Sequence, residues 1–251
     1  MKESLKALHN SVAHLNEVIE KIEPAKYTDS AYPKEWTIAD TMSHLGSGAV
    51  IASQGFDNIV SGAEADPDFN KSTWDEWNAK EPAAQVADAL VADAALLDRL
   101  KMLDEEGRDK FEFSLGPMKF DFDGFVGLRL NEHALHTWDI EVTTNASVTL
   151  PEDAAAIMVD HLAMYAGFSG KANGVAHDVH VKTVNPEREF VLVFGEESVS
   201  LSVNDHGGHV DLELPAEAFV RLIGGRLDPK HTPRDVTGEH LDELREAFPG
   251  F

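Results

Sequence analysis

The sequence predicts an α-helical N-terminal domain, built as a four-helix bundle, followed by a smaller α+β C-terminal domain with an antiparallel sheet. Three observations carry this prediction. Before position 150, apolar residues recur every three or four positions, the period of one helix face. After it, short segments alternate apolar and polar side chains, as strands with one buried face do. The first part also holds enough long periodic segments to close a helical core. The change of pattern sets the domains at 1–149 and 150–251, with the boundary near 147–151.

The first helix follows from Leu5, Leu8, Val12, Leu15, Val18 and Ile22, which share one face. Pro24 and Pro33 bracket the connection after it. Thr37, with Asp40 three residues later, is a capping pair for a second helix running to about Val60. The stretch 62–72 is polar, contains Pro67, and reads as a loop. Glu81 and Pro82 open a third helix, carried by Val86, Leu90, Val91, Ala94, Leu97 and Leu100. The segment 110–120 lacks helical period and reads as an extended connection to a fourth helix over 122–142. In the second domain, 151–168 reads as one helix. Strands are expected at 179–184, 190–194, 199–203 and 210–214, punctuated by Gly195 and the Gly207–Gly208 pair. Segments 215–223 and 239–248 close the chain as helices.

Composition narrows the function. The chain has 251 residues, 43% of them hydrophobic, which is enough for packed cores. Charges interrupt every apolar run, so no membrane span is expected. The first residues lack the apolar core of a secretory signal, and a cytoplasmic location is the default. A formal net charge of −24 argues against nucleic acid and anionic membrane as partners, because phosphate repels it. There is no cysteine, which excludes a disulfide scaffold and a cysteine nucleophile. Any thiol chemistry must use a small-molecule thiol.

Glu132 and His136 are four residues apart in the fourth helix, on a face shared with Phe125, Leu128 and Leu135. That face should point inward, and a carboxylate and an imidazole placed there need a partner. A metal ion is one, since both side chains suit zinc and a helical spacing of four is common for paired ligands. A salt-linked pair inside a bundle is the other. His44, in the earlier run Glu-Trp-Thr-Ile-Ala-Asp-Thr-Met-Ser-His-Leu from 35 to 45, taken alone reads as a core histidine. His133 projects about 100° away from Glu132 and should not share its partner.

Together these segments resemble the DinB-like metalloenzyme superfamily and, more narrowly, the mycothiol-dependent maleylpyruvate isomerase family. The resemblance rests on Trp36 through Leu45 and on Arg129, Glu132, His136 and Asp139. The tail 214–227 is similar to that family's C-terminal domain. It implies a DinB-like bundle whose His44, Glu132 and His136 hold one divalent metal, with zinc the best match to the ligand types. Three ligands leave one position open, the arrangement of a catalytic site.

Five further features have two readings each. Asp139 either orients the His136 ring or is a solvent-facing or capping carboxylate. Arg129 either pairs with an acidic ligand such as Glu132 or forms a surface salt bridge. Arg226, after Gly-Gly, is the candidate catalytic contact to an anionic substrate, or an arginine following a helix end. The group Asp205, His206, His209 and Asp211 could bind metal at a hairpin tip but reads more simply as turn residues. Asp121 begins Asp-Phe-Asp-Gly, which looks like part of a calcium loop but reads better as the cap of the fourth helix.

The functional expectation is a metal-dependent enzyme with mycothiol as cosubstrate, acting on an electrophilic small molecule. Cis–trans isomerisation and S-transfer, a detoxification reaction, are both open, with S-transfer narrowly ahead because no residue identifies maleylpyruvate. The competing class is a non-catalytic metal or small-ligand binding protein on the same fold. Hydrolysis by bound water is a third option, weakened by the lack of an obvious general base.

Overall fold

The computed structural model describes residues 2–32, 34–204, 207–234, 236 and 238–250. The chain divides into two compact units, Met1–Asn145 and Ala146–Phe251. Among the described residues no helix is long and apolar enough to cross a membrane.

The first unit contains α1 (Glu3–Glu20), α2 (Ile38–Ser61), α3 (Phe69–Asn78), α4 (Pro82–Met102), α5 (Glu105–Asp109), β1 (Phe113–Leu115), β2 (Met118–Phe120) and α6 (Phe122–Glu141). Helix α1 packs on α6 and α4, while α2 packs on α4, α3 and α6. The local signals act as expected at both helix starts that matter for the site. Thr37 and Asp40 form a reciprocal capping box on α2: Asp40 N–H donates to Thr37 Oγ1 (3.0 Å) and Thr37 N–H to Asp40 Oδ2 (2.9 Å). Asp121 caps α6 by accepting from Gly124 N–H (2.8 Å). Gly62 ends α2 in the left-handed region, at φ 71°.

Among the described residues, two apolar clusters stand out in this unit. Leu15, Ile19, Ile38, Met42, Leu45, Trp77, Val86, Ala89 and Ile140 lie in one. Phe56, Phe111, Phe113, Phe122 and Phe125 form the other, with neighbouring ring centroids 5.2–6.5 Å apart. The stretch read as a loop to position 72 gives way to α3 at Phe69. Its inward side is only Thr73 and Trp77, too short a stripe for periodicity to detect. The extended connection is a β1–β2 hairpin, paired Phe113 to Phe120, with Gly116 at φ 57° in its turn.

The second unit contains α7 (Glu152–Met158), α8 (Leu162–Ser169), β3 (His177–Val184), β4 (Arg188–Phe194), β5 (Val199–Val203), β6 (Leu212–Pro215), α9 (Ala216–Ile223) and α10 (Leu241–Ala247). The single helix expected over 151–168 is two, divided by a 3-10 turn at Val159–His161. The sheet order is β5-β4-β3-β6. The expected antiparallel sheet is therefore corrected to a mixed one, because β6 pairs parallel to β3, from Val181 opposite Leu212 to Val184 opposite Pro215. The chain leaving β5 crosses to the far edge of the sheet before pairing. A two-residue period fixes the buried face of β6, where Leu212 and Leu214 are inside, but says nothing of strand direction.

Gly46 lets α2, α3 and α4 meet closely. A Cβ there would lie 2.2 Å from the Trp77 ring and 2.9 Å from the Ala89 Cα. Gly46→Ala should therefore cost about 1–3 kcal/mol by overpacking, despite alanine's better helix propensity. Urea denaturation should show a lower midpoint at an unchanged slope. An unchanged or raised midpoint would mean that Trp77 repacks freely.

Candidate metal centre

Helix α2 carries His44, and α6 carries Glu132 and His136. The two helices pack directly, which brings residues 88 apart in sequence to one point. His44 Nε2 lies 3.0 Å from Glu132 Oε2, and His136 Nε2 lies 3.7 Å from the same oxygen. One donor atom from each residue falls within 4.8 Å of the others. The imidazoles meet edge to face, with centroids 4.7 Å apart. Trp36, just ahead of α2, stacks on His136 (5.7 Å) and tilts against His44 (5.1 Å).

Burial is graded across the three. The His136 side chain is 9% exposed, whereas His44 and Glu132 are 38% and 45% exposed. Glu132 is thus at the open rim rather than on a fully inward stripe, as its sequence neighbours Phe125 and Leu135 suggest. Leu128, on the same stripe, is also only partly buried. The cost of burying an unpaired group applies to His136, and Asp139 meets it: the fully buried Asp139 Oδ2 lies 2.8 Å from His136 Nδ1. With Nδ1 engaged by Asp139, Nε2 is the ring nitrogen that faces Glu132.

The Glu132 carboxyl is held at about 2. Burial pushes it up, but the His44 hydrogen bond, the nearby His136 and His44 charges and the more distant Arg129 outweigh that. It is an anion wherever the protein is folded near neutrality. Its stabilising effect is present above the unfolded value of about 4.3 and is lost as pH falls toward the folded value.

Arg129 does not pair with Glu132. It is buried, and Nη2 donates to Asp93 Oδ1 (2.6 Å) and to the backbone oxygen of Leu45 (2.7 Å), next to His44. The surface salt bridge considered for it is equally absent, since both partners are almost inaccessible. His133 is fully buried and turns to α1 and α4: its Nδ1 is 2.9 Å from Ser11 Oγ and its Nε2 is 3.3 Å from Asp93 Oδ2. Burial raises the Asp93 carboxyl, but the Arg129 and His133 charges and their hydrogen bonds outweigh this and hold it below the usual carboxylate range.

Asp93 is the residue that sequence reasoning missed. It lies in register with Val86, Ala89, Leu96, Leu97 and Leu100 on the buried face, whereas Val91 and Ala94, read as part of the apolar stripe, are exposed.

Arg226 lies in the second unit. It is buried, its backbone N–H donates to Arg221 O (2.6 Å) and its Nη1 donates to Gly224 O (2.6 Å), which satisfies carbonyls at the end of α9. Of the hairpin-tip group, Asp205 and His206 fall outside the described residues. His209 is exposed, 3.2 Å from Asp211.

A family model described as the mycothiol maleylpyruvate isomerase N-terminal domain matches residues 8–141, a span that includes His44, Glu132 and His136. No curated protein gives a significant sequence match. Two solved structures are similar: the mycothiol-dependent maleylpyruvate isomerase and a histidine-to-alanine mutant of it. Each has a TM-score of 0.66 and 14% identity, over 94% of this chain and 92% of the other. At that identity the likeness is one of fold.

Asp93→Asn should cost about 3–5 kcal/mol, the range for breaking a buried ion pair and leaving one charge behind. Equilibrium unfolding at neutral pH is the check. A loss under 1 kcal/mol would mean that water or another group compensates Arg129.

Proposed function

Since the chain belongs to the family defined by the mycothiol maleylpyruvate isomerase N-terminal domain, matched over more than half its length, we propose that it is a metal-dependent enzyme using mycothiol as cosubstrate. In this reading the first unit is a DinB-like four-helix bundle and the second is the C-terminal domain of the mycothiol-dependent maleylpyruvate isomerase type. The observation that carries the proposal is the convergence of His44, Glu132 and His136, with His136 Nε2 turned toward Glu132 by the contact of Nδ1 with Asp139.

The residues suit a divalent cation. Two imidazoles and one carboxylate are zinc ligands, and three protein donors leave a fourth position for a small molecule. Glu132 supplies the negative charge and is already ionised. His136 is held in one tautomer by Asp139, the arrangement that orients a metal-binding imidazole. Trp36 covers one side of both rings. Arg129 fixes α6 to the α2 backbone beside His44 rather than touching a substrate.

The cation, when bound, would favour the thiolate of a nearby thiol, whose ordinary pKa is about 8.5. The chain has no cysteine, so that thiol must be a small molecule. The mycothiol sulfur attacks an electrophilic carbon of the second substrate. If it adds to a conjugated double bond and is expelled after rotation, the outcome is cis–trans isomerisation. If the carbon–sulfur bond persists and the carbanion left by the addition takes up a proton from solvent, the outcome is S-transfer, which we favour because no side chain of the site selects maleylpyruvate. Arg226, bonded to carbonyls at the end of α9, is the candidate contact for the substrate anion, and Arg226→Ala should affect folding before it affects KM.

Metal content tests the ligand set. Wild type should carry one zinc at this site, and His44→Ala should lower the affinity at least tenfold. Equal affinity in both would remove His44 from the set. Chelation should leave the far-UV circular dichroism nearly unchanged, because both apolar clusters and the Asp93–Arg129 pair are independent of the metal. Cooperative loss of the helical signal would make the metal structural.

The thiol-dependent rate should exceed that of the metal-free protein most at neutral pH and lose that advantage in alkaline buffer, where free thiolate is plentiful. Glu132→Gln should abolish most of it. An advantage absent at neutral pH, or intact in Glu132→Gln, would favour a non-catalytic binding protein.

A further inference from the structure

The second unit holds another cluster of potential metal ligands, outside residues 8–141 and formed from different elements. His177 opens β3, His240 precedes α10, and Glu243 lies in the first turn of that helix. One donor atom from each lies within 4.8 Å of the others. Glu243 occupies the middle: Oε1 is 3.0 Å from His177 Nε2, and Oε2 is 2.9 Å from His240 Nδ1.

The orientation of His177 makes the cluster more than a surface ion pair. Its Nδ1 is 2.9 Å from the Val175 carbonyl, which can only accept, so Nδ1 carries a proton. A neutral ring then presents the Nε2 lone pair to a carboxylate oxygen. Nε2 is screened from solvent and makes no hydrogen bond of good geometry. Two electron-rich atoms 3.0 Å apart need a cation between them, either a proton on Nε2 or a metal ion. The ring cannot easily turn away, because it lies flat on Phe194 of β4 with centroids 4.6 Å apart and planes 9° from parallel.

The surroundings are also ordered. Asn173 Nδ2 donates to Glu243 Oε1 (2.9 Å) and the Asn173 side-chain oxygen accepts from Val175 N–H (2.9 Å). The segment that positions His177 and the carboxylate that faces it are thus tied together. A carbonyl on the far nitrogen of a histidine and an amide on the ligating carboxylate are the supports that metal ligands commonly have.

We propose that His177, His240 and Glu243 form a second divalent-cation site, which clamps α10 to the start of β3. Two imidazoles and a carboxylate select a borderline ion such as zinc over magnesium or calcium. The site braces a unit that already folds without it: His177 and Glu243 join elements 66 positions apart in the chain, and a cation that binds only the folded unit adds to its stability.

The test must separate this site from the one in the first unit. The double variant His44→Ala/His136→Ala removes two donors of that centre. Equilibrated with zinc and desalted, the folded double variant should retain one zinc per chain, and adding Glu243→Gln should remove it. No zinc in the double variant, or zinc that persists after Glu243→Gln, would overturn the proposal. The wild-type protein gives an independent readout that needs no variant to fold. Zinc added to the metal-free chain should shift the imidazole proton resonances of His177 and His240 by stoichiometric binding. Resonances that move only with pH would mean that a proton bridges the cluster, and the second site would be rejected. Loss of the first site alone would appear as shifts at His177 and His240 without shifts at His44 and His136.

Discussion

The buried ion pair between Asp93 and Arg129 is the contact on which the helical unit depends. Neither group is accessible, and each would be costly inside without the other. Asp93 also faces His133, which reaches Ser11, while Arg129 reaches the Leu45 carbonyl. One polar network therefore touches α1, α2, α4 and α6. Close packing at Gly46 resists a slide of one helix past another, and a shift of one turn would also part the carboxylate from its guanidinium, so both fix the register of these helices.

Register is what the candidate site needs. His44 and Glu132 belong to different helices, and a slip of one turn, about 5.4 Å, would separate donors that now lie 3.0 Å apart. Arg129 is three residues before Glu132, and its acceptor Leu45 is one residue after His44. The contact that fixes the two helices is thus adjacent to the ligands on both. The division of labour follows from burial: the inaccessible Asp93 and Arg129 hold the frame, and the partly exposed His44 and Glu132 face the opening. Asp139 does for His136 what Arg129 does for α2, fixing a ring rather than a helix.

Much of this was legible in the sequence, and the failures have physical causes. Long stripes such as Leu5 to Ile22 identify helices because many residues agree on one face. Helix α3 escapes because it buries only Thr73 and Trp77. The direction of β6 escapes because alternation does not encode which edge a strand joins. The break at Val159–His161 has no proline or glycine to mark it. At the site, helical spacing alone relates Glu132 to His136, whereas His44 enters through the family resemblance, since no local rule connects positions so far apart. Asp93 was available as the one carboxylate in register with the apolar residues of α4. The cluster of His177, His240 and Glu243 had no motif at all, because tertiary structure assembles it from a strand end and a distant helix.

His44, Glu132 and His136 are proposed to form one divalent-metal site. The most direct test is a crystal grown with zinc, with diffraction recorded on both sides of the zinc absorption edge. An anomalous peak should lie about 2.0–2.2 Å from a nitrogen of His44, a nitrogen of His136 and a carboxylate oxygen of Glu132. The Asp139–His136 hydrogen bond should be retained. A map with no peak there, and with His44 still hydrogen-bonded directly to Glu132, would contradict it.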